Sequence, residues 1–409
     1  MNIALFEDDG YRRLLPLTWL RPAFELRCGR DRLIDKVRSH VRGRLARTFV
    51  RAPLTDVVAE RCPLEQAEPG ADWCLLNARA LVSGDIAPPP PGCAWRYNGE
   101  LVACSVAAAE LNQLTPAILL DPAALGEWAT RLRPAPLPAV VRLLEYPWDL
   151  VLANAGELRR QCRNGGEHEG EIYPGAHLVH ADQIHLGRGA RIKPGAVLDA
   201  EDGPVYIERD VLIEASAVIQ GPGYIGPGSI VRTGATLRPG TTVGPMCRVA
   251  GEISGCIFQG YANKQHEGYL GHSFVAEWVN IGAGTITSDL KNTYGTIRVS
   301  LNGVGVETGQ CFIGSFIGDH SKTGIGTILP TGCVIGVASH VFATSAVPKF
   351  VPSFAWLTDA GMTEYRVDKA VHIARTVMGR RDVTLSPAEQ RLLEDVAGAA
   401  RAVEAAGWR

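Results

Sequence analysis

Residues 207–249 read IERDVLIEASAVIQGPGYIGPGSIVRTGATLRPGTTVGPMCRV, and this stretch contains a six-residue repeat. An aliphatic residue recurs at every sixth position without a slip: Ile207, Ile213, Ile219, Ile225, Val231, Leu237, Val243 and Val249. A period of six fits neither the 3.6-residue helix nor the two-residue alternation of a strand. It is typical of a parallel β-helix, in which each hexad forms one short strand and one turn and equivalent positions stack along the axis.

The repeat continues on both sides of this stretch. Upstream, Leu186, Ile192 and Leu198 keep the same phase, and an insertion near 202–204 precedes the return at Ile207. Downstream the period resumes over 281–287 and then at a further set of positions: Ile317, Thr323, Leu329, Ile335 and Val341. We therefore predict one solenoid from about residue 175 to 350, within a domain of residues 171–355.

The first 145 residues have a different pattern. Short aliphatic runs at 2–6, 73–78 and 116–121 alternate with helix-like segments such as DRLIDKVRSHVRG, residues 31–43. Buried strands that alternate with helices predict an α/β domain with a parallel sheet over residues 1–145.

Two helical regions flank the solenoid. The segment 146–170 is expected to be a linker that opens with a helix over 146–162. Residues 356–409 are expected to form a helical extension. Ser386 and Glu389 give its last helix, predicted over 386–407, a capping box.

The composition excludes several classes of protein. The chain has 409 residues, with Lys+Arg 41 against Asp+Glu 43, so nothing indicates a nucleic-acid partner. No window has the apolar length of a membrane span and the N-terminus lacks a signal-peptide pattern, so we expect a cytoplasmic protein without a membrane partner. The ten cysteines are scattered singly and are expected to be buried apolar residues.

Three stretches together carry a family resemblance. The opening LFEDDGYRRLLPLTWLRPAFEL (5–26) is followed by the solenoid, which contains HEGYLGH (266–272) and VNIGAGTIT (279–287). The chain resembles divergent members of the GlmU-like family of sugar nucleotidyltransferases and acetyltransferases. The resemblance implies a Rossmann-like nucleotidyltransferase domain, a left-handed β-helix acyltransferase domain with a helical tail, and a homotrimer.

The resemblance also implies roles for individual solenoid residues in acetyl-CoA-dependent N-acetylation of an amino-sugar 1-phosphate, a step in UDP-N-acetylglucosamine synthesis. His266 would be the base that deprotonates the amine, and imidazole suits that task near neutral pH. Two further sets of residues are implied: Arg238, Tyr269 and Asn280 on the sugar phosphate, and Ala283 and Ser315 on acetyl-CoA. Asp289 and Leu290 depart from the family pattern, as does His272, which has no implied role.

The N-terminal resemblance implies nucleotidyl transfer from UTP or another nucleotide, with Mg²⁺. Cations would come from Arg12, Arg13 and Arg21. Asn77 and Arg79 are also nucleotide-binding candidates, and they end the strand on which the family carries a metal-binding aspartate. Glu7, Asp8 and Asp9 stand where the family has glycines, however, and a phosphate cradle needs backbone N–H groups and positive charge. An alternative is therefore an acyltransferase or a scaffold with a non-catalytic nucleotidyltransferase domain.

A different enzyme class uses the same solenoid. The γ-type carbonic anhydrases hold zinc on three histidines between such subunits, and His266, His272 and His320 are candidates for that role. The match at 266–287 favours acetyl transfer over the metal enzyme, and the sequence assigns no metal site.

Overall fold

The computed structural model describes residues 1–162 and 165–406. The described chain divides into two compact units, one built from Met1–Leu14, Leu20–Leu26 and Asp31–Tyr146 and the other from the remaining described residues. Residues 163 and 164 of the predicted linker, and residues 407–409 of the predicted C-terminal extension, lie outside the described part.

The first 146 residues contain ten strands and five α-helices within the described part. The strands are β1 (Asn2–Phe6), β2 (Arg27–Cys28), β3 (Asp31–Arg32), β4 (Arg44–Phe49), β5 (Trp73–Asn77), β6 (Ala80–Val82), β7 (Cys93–Tyr97), β8 (Glu100–Val106), β9 (Arg133–Pro134) and β10 (Val141–Leu143). The helices are α1 (Leu33–His40), α2 (Thr55–Arg61), α3 (Ala108–Leu111), α4 (Pro116–Leu120) and α5 (Pro122–Ala129), with 3₁₀ turns at Asp9–Leu14, Ala23–Glu25 and Ala52–Leu54.

The central sheet of this α/β unit is mixed rather than wholly parallel. Its strand order is β4-β1-β5-β8-β7-β9, and β1 runs parallel to both β4 and β5, as predicted. The prediction is wrong for β8, which runs antiparallel to β5 and β7. Only Asn98 and Gly99 connect β7 to β8, with φ of 49° and 83°. A two-residue turn with two positive φ angles makes a hairpin, so its strands are antiparallel.

The run at 116–121 was predicted as a strand and is helix α4 instead. The Thr115 hydroxyl accepts a hydrogen bond from the Ile118 N–H at 3.3 Å, and Pro116 occupies the first helical position. Both features stabilise a helix start. A short aliphatic run does not by itself distinguish a strand from a buried helix, and here the cap decides.

Helix α6 (Pro147–Gln161) confirms the helix predicted over 146–162. Its buried Asn154 side chain attaches it to the solenoid, because Nδ2 donates to Gly240 O at 2.7 Å and to Thr242 Oγ1 at 3.0 Å. Both acceptors lie on the solenoid surface, so the helix packs along the coils.

The solenoid is built from very short strands, and its predicted existence is confirmed. In chain order they are β11 (Glu171–Ile172), β12 (His177–Val179), β13 (Ile184–Leu186), β14 (Arg191–Ile192), β15 (Val197–Asp199), β16 (Val205–Ile207), β17 (Leu212–Ile213), β18 (Val218–Gln220), β19 (Gly223–Ile225), β20 (Ile230–Val231), β21 (Thr236–Leu237), β22 (Thr241–Val243), β23 (Arg248–Val249), β24 (Glu252–Ser254), β25 (Ile257–Phe258), β26 (Asn263–Lys264), β27 (Tyr269–Gly271), β28 (Phe274–Val275), β29 (Ile286–Thr287), β30 (Arg298–Leu301), β31 (Val304–Glu307), β32 (Phe316–Ile317), β33 (Lys322–Thr323), β34 (Ile328–Leu329), β35 (Val334–Ile335), β36 (His340–Val341), β37 (Phe350–Val351), β38 (Ala355–Thr358) and β39 (Gly361–Glu364). A 3₁₀ turn at Ala181–Gln183 precedes β13.

Apart from the antiparallel strands β30, β31 and β39, these strands form three parallel faces. The first, β11-β14-β17-β20-β23-β26, continues through Asn280 to β33, β36 and β38; the second is β12-β15-β18-β21-β24-β27; the third runs from β13 to β37. The aliphatic residues at six-residue spacing point inward and are at most 2% exposed, from Leu186 to Val341. One residue of each hexad therefore fills the narrow interior.

Two features of the solenoid were not predicted. Residues 288–312 leave the coil and carry the antiparallel hairpin β30–β31. The chain was expected to become helical beyond Phe354, but β38 adds to the solenoid and pairs with the antiparallel strand β39. Strand β39 pairs with the free edge of β38, which would otherwise present unpaired backbone groups.

Two helices follow, α7 (Val367–Gly379) and α8 (Pro387–Ala406). The capping box of α8 is confirmed: the Glu389 N–H donates to Ser386 Oγ at 3.1 Å, and the Ser386 N–H donates to Glu389 Oε2 at 2.9 Å. Across the described residues, no helix has the length and apolar character needed to cross a membrane.

Candidate functional site

His266 and His272 occupy equivalent positions at successive corners of one coil. His266 follows the inward Lys264 by two residues, and His272 follows the inward Leu270 by two. The six-residue gap between the histidines thus reflects the repeat and does not bring the two rings together as a pair.

His266 lies in the exposed turn between β26 and β27. The turn is held from inside, where Lys264 replaces an aliphatic residue in the inward column and is 1% exposed. Its Nζ donates to Ala250 O at 3.1 Å and to His266 O at 3.0 Å. Burial lowers the pKa of Lys264 to about 8. The hexad pattern gave no indication of this lysine, because an inward position normally carries an apolar residue.

The corner after His266 stacks directly under the glycine-rich corner of the next coil. The Gly284 N–H donates to Glu267 O at 2.9 Å, and the Gly326 N–H donates to Ala283 O at 2.7 Å. Adjacent strands lie about 4.8 Å apart. The predicted base and the predicted acetyl-CoA contact at Ala283 therefore belong to neighbouring coils at the same corner.

Tyr269, His272 and Asp289 form a hydrogen-bonded cluster. The Tyr269 hydroxyl donates to Asp289 Oδ2 at 2.9 Å, and His272 Nδ1 lies 2.8 Å from the same oxygen. Burial raises the pKa of Asp289, but the hydrogen bonds from His272 and Tyr269 outweigh it, so the pKa lies below its ordinary value. An ionised carboxylate only accepts, so His272 Nδ1 carries a proton and donates it to Asp289.

The same cluster sets the properties of Tyr269. Burial and the hydrogen bond to Asp289 raise the pKa of Tyr269 above its ordinary value, so the phenol is neutral. Its proton is committed to Asp289, and the Tyr269 oxygen can therefore act as an acceptor for a bound hydroxyl. The tight packing requires Gly271, because a Cβ there would lie 2.1 Å from Asp289 Oδ2 and 2.4 Å from the Tyr269 hydroxyl oxygen.

His272 and Asp289, which both depart from the family pattern in the sequence, are thus hydrogen-bonded to each other in the structure. His272 and Asp289 are complementary as an imidazole and a carboxylate. That complementarity between two departures, 17 positions apart, was the signal that sequence reasoning missed.

The other predicted sugar and CoA residues are spread over two faces. Arg238 pairs with Glu252 at 2.9 Å, and Glu252 is the register neighbour of Tyr269. Asn280 is exposed on the neighbouring face, between Asn263 and Lys322.

Ser315 is fully buried. Its N–H donates to Ser273 Oγ at 2.8 Å, and its own hydroxyl has no hydrogen-bond partner among the described residues. The side chain is therefore enclosed in the described chain and does not line an exposed groove.

In the N-terminal unit, each acidic residue of the EDD segment is paired with an arginine. Glu7 lies 2.6 Å from Arg51, and Asp9 lies 2.7 Å from Arg12. Arg79 donates to Asp8 with Nε at 2.8 Å and with Nη2 at 2.5 Å.

The remaining predicted cations of this unit are also engaged. Arg79 is 1% exposed and lies 3.0 Å from Glu100, which Arg13 also contacts at 2.5 Å. Arg21 is buried, at 3% exposure. Asn77 donates to Asp8 Oδ2 at 2.8 Å and to Leu101 O at 3.1 Å. A nucleotide phosphate would have to compete with these carboxylates for the positive charge.

The same contacts do not fit a preformed magnesium site. Mg²⁺ is bound through carboxylates, but Asp8 and Glu100 are both held by Arg79. No group of three or more His, Cys, Asp or Glu side chains suited to a metal occurs anywhere in the described chain. Two of the three histidines considered for zinc contact other side chains. His272 is hydrogen-bonded to Asp289, and the ring of His320 stacks on that of Trp278 with 6.3 Å between the ring centroids.

Comparisons with known proteins found one family model and several relatives. Residues 3–164 match the family model described as sugar nucleotidyl transferase. A bifunctional sugar-1-phosphate nucleotidylyltransferase/acetyltransferase from Sulfurisphaera tokodaii is 32% identical over 100 residues, which is 24% of this chain and 25% of that protein. The bifunctional protein GlmU from Synechococcus sp. is 30% identical over 206 residues, which is 50% of this chain and 36% of that protein.

The chain is similar to GlmU-like proteins. The predicted resemblance is confirmed, and the relative from Sulfurisphaera tokodaii carries the name of a transferase, the class predicted for this chain. The chain spans 25% to 36% of the length of these curated relatives. Among solved structures, UDP-N-acetylglucosamine O-acyltransferase from Moraxella catarrhalis aligns with a TM-score of 0.35 and 11% identity, over 57% of this chain and 97% of its own.

Proposed function

We propose that this GlmU-like chain transfers an acetyl group from acetyl-CoA to the amine of an amino-sugar 1-phosphate, with His266 as the base. The stacked corners carry the proposal, because the Gly284 N–H···O=C Glu267 bond at 2.9 Å holds the His266 turn beside Ala283 on the next coil. One relative is named as a bifunctional sugar-1-phosphate nucleotidylyltransferase/acetyltransferase, and this name supports the choice of substrate class.

The residues divide the chemistry as follows. An ammonium must lose a proton before it can attack a thioester, and the exposed imidazole of His266 is placed to take it. The amine then forms the amide bond, and the CoA thiolate leaves and is protonated. A backbone N–H in the 282–284 corner would stabilise the oxyanion. Tyr269, with its oxygen available as an acceptor, and Asn280 would bind the sugar.

A second residue competes for the role of base. Base residues in enzymes are commonly oriented by a carboxylate, and His272 is held in this way by Asp289. His266 has no such side-chain partner among the described residues. Separate variants of the two histidines therefore identify the base.

The experiment measures CoA thiol release with glucosamine 1-phosphate and acetyl-CoA. We expect His266→Asn to lower kcat by about 10² to 10⁴ and His272→Asn by about tenfold or less. The reverse order would make His272 the base. If the purified protein releases no thiol with this or other amino-sugar phosphates, acetyl transfer is wrong.

For the N-terminal unit we propose that nucleotidyl transfer has been lost. The observation that supports this is the pairing of Asp8 with Arg79 and of Glu100 with Arg13 and Arg79, which leaves neither a magnesium site nor an unpaired phosphate cradle. Pyrophosphate release from UTP or another nucleotide triphosphate, with Mg²⁺ and a sugar 1-phosphate, tests it. Release at a rate comparable to acetyl transfer would contradict the proposal.

We also propose that the chain forms a homotrimer, as the resemblance implies. Several large apolar side chains are exposed on the solenoid coils between residues 281 and 329. Their exposed fractions are 44% for Ile286, 79% for Ile325 and 61% for Ile328. Contiguous exposed apolar residues on a sheet face mark interaction surfaces. Light scattering of the purified protein should give three times 43.9 kDa, and a monomer at micromolar concentration would contradict this.

A further inference from the structure

One cavity in the solenoid unit is lined by an unusual excess of positive charge. It has a volume of about 470 Å³ and lies between the first face of the solenoid and the end of α7. Arg248 and Lys322 project into it from the solenoid, and Arg380 and Arg381 project from the helix end. No carboxylate lines it among the described residues.

On the solenoid side of the cavity, two cationic side chains and two amide side chains lie in register on one face. Arg248, Asn263, Asn280 and Lys322 are register neighbours on four successive coils of one face. All four alternate with inward residues, so their side chains point outward on the same side. A continuous strip of donors therefore runs along the axis.

Within residues 1–162 and 165–406, none of the four cations has an acidic partner. Lys322 Nζ donates to the carbonyl of His320 at 2.9 Å, and Arg381 Nη2 donates to Asn263 Oδ1 at 2.7 Å. Arg381 Nη1 is buried and has no hydrogen-bond partner in the described part of the chain. By contrast, the neighbouring Arg232 is neutralised by Glu214 at 2.9 Å.

Burial lowers the pKa of Lys322 to about 8 and also lowers the pKa of Arg381. The last turn of a helix attracts cations, which accounts for Arg380 and Arg381 on α7. The helix end does not account for Arg248 and Lys322. These two cations lie on the opposite wall of the cavity and repel Arg380 and Arg381. An unpaired buried guanidinium N–H also costs free energy unless a ligand accepts from it.

We propose that this cavity binds the phosphate group of a small phosphate ester, with Arg248, Lys322, Arg380 and Arg381 around the phosphate and the amides of Asn263 and Asn280 on its hydroxyl-bearing part. Guanidinium groups match phosphate geometry with paired donors. The volume lies in the range of small-molecule sites.

The inference deepens the proposed function and rests on it only for the choice of ester, since Asn280 belongs to both. The phosphate can come from either of two sources, the amino-sugar 1-phosphate or the phosphates of CoA. The proposal of an anion site, to which the C-terminal extension contributes Arg380 and Arg381, rests on the cavity alone.

Calorimetry on the full chain tests the proposal with matched probes. Glucosamine 1-phosphate is compared with glucosamine, CoA is compared with pantetheine, and inorganic phosphate is titrated alone. We expect one phosphate-bearing probe to bind and its uncharged counterpart to fail, with affinity falling as salt rises.

The variants are Arg381→Gln, Arg248→Gln and the exposed Arg380→Gln, each checked for an unchanged thermal midpoint. We expect each to raise Kd by about tenfold or more, as for charge-assisted bonds to an anion. Arg191→Gln is the control, because Arg191 is exposed on the same face three coils away from Arg248 and outside the cavity.

The outcomes separate this inference from the proposed function. Probe binding that Arg381→Gln weakens, in a protein without acetyl transfer, supports the anion site and contradicts the function. Acetyl transfer with kcat/KM and probe binding unchanged in all three variants overturns the anion site and leaves the function. Failure of every phosphate-bearing probe to bind at millimolar concentration also overturns it.

Discussion

His272 Nδ1 lies 2.8 Å from Asp289 Oδ2, an oxygen that also accepts the Tyr269 hydroxyl at 2.9 Å. One carboxylate thus orders a phenol on β27 and an imidazole in the corner that directly follows β27. Two hydrogen bonds to one ionised oxygen are stronger than neutral bonds, so the cluster stiffens the wall of the proposed site.

Asp289→Asn should lower the free energy of unfolding at pH 7 by about 2 kcal/mol, because both donors lose a charged acceptor. The pKa of Asp289 is lower in the folded protein than its ordinary 3.8, so its stabilisation is present above that pH and is lost as pH falls through the folded pKa. The stability gap between wild type and variant should therefore close toward pH 3. Thermal midpoints at pH 7, 4 and 3 measure it, and a gap that is constant with pH would contradict the role of charge.

Gly271→Ala should disturb the same cluster by sterics alone. A Cβ at this position would lie 2.1 Å from Asp289 Oδ2, and Gly271 has no positive φ to cause backbone strain. We expect a loss of about 1 to 3 kcal/mol in the free energy of unfolding and a lower rate of acetyl transfer. Gly260→Ala is the matched control, since its nearest atoms would lie at 3.4 Å. Equal effects of the two substitutions would argue against the packing account.

Lys264 should give the protein a measurable alkaline pH dependence. Its pKa is about 8 in the folded chain and 10.5 ordinarily, so between these values the unfolded state binds more protons and stability rises with pH. The stability of wild type relative to Lys264→Met should increase by about 2 to 3 kcal/mol from pH 8 to 10.5. Urea unfolding of both proteins across this range measures the difference. A difference that does not change with pH would mean that the buried amine has its ordinary pKa.

The buried ion pair of the N-terminal unit should be costly to break from one side. Arg79→Met would leave Asp8 and Glu100 without their buried partner, and we expect a loss of about 3 kcal/mol in the free energy of unfolding. Adding Asp8→Asn to Arg79→Met should restore part of it. Arg12→Met is the control, because the Arg12–Asp9 pair is about half exposed and should cost less than about 1 kcal/mol. Similar losses for the two arginines would refute the internal network.

The sequence could predict those parts of the site whose residues lie close together along the chain. His266, Tyr269 and Asn280 were predicted together because they fall within one motif and on consecutive coils. Arg381 meets Asn263 across 118 positions, and no local pattern specifies how helix α7 packs on the solenoid. Arg248 and Lys322 share an outward phase in the repeat, but phase alone does not show that a helix closes over them.

The sequence by itself determined the solenoid, because one inward aliphatic residue per hexad is a local rule that repeats without reference to the rest of the chain. It also determined the equivalent placement of His266 and His272, the capped helix α8 and the resemblance to GlmU-like proteins. Only the tertiary structure decided that Asp289 joins His272 to Tyr269, that a lysine occupies the interior at Lys264, and that the EDD segment is neutralised from within. Those outcomes rest on charge pairing and burial between residues far apart in the chain, which depend on packing and not on periodicity.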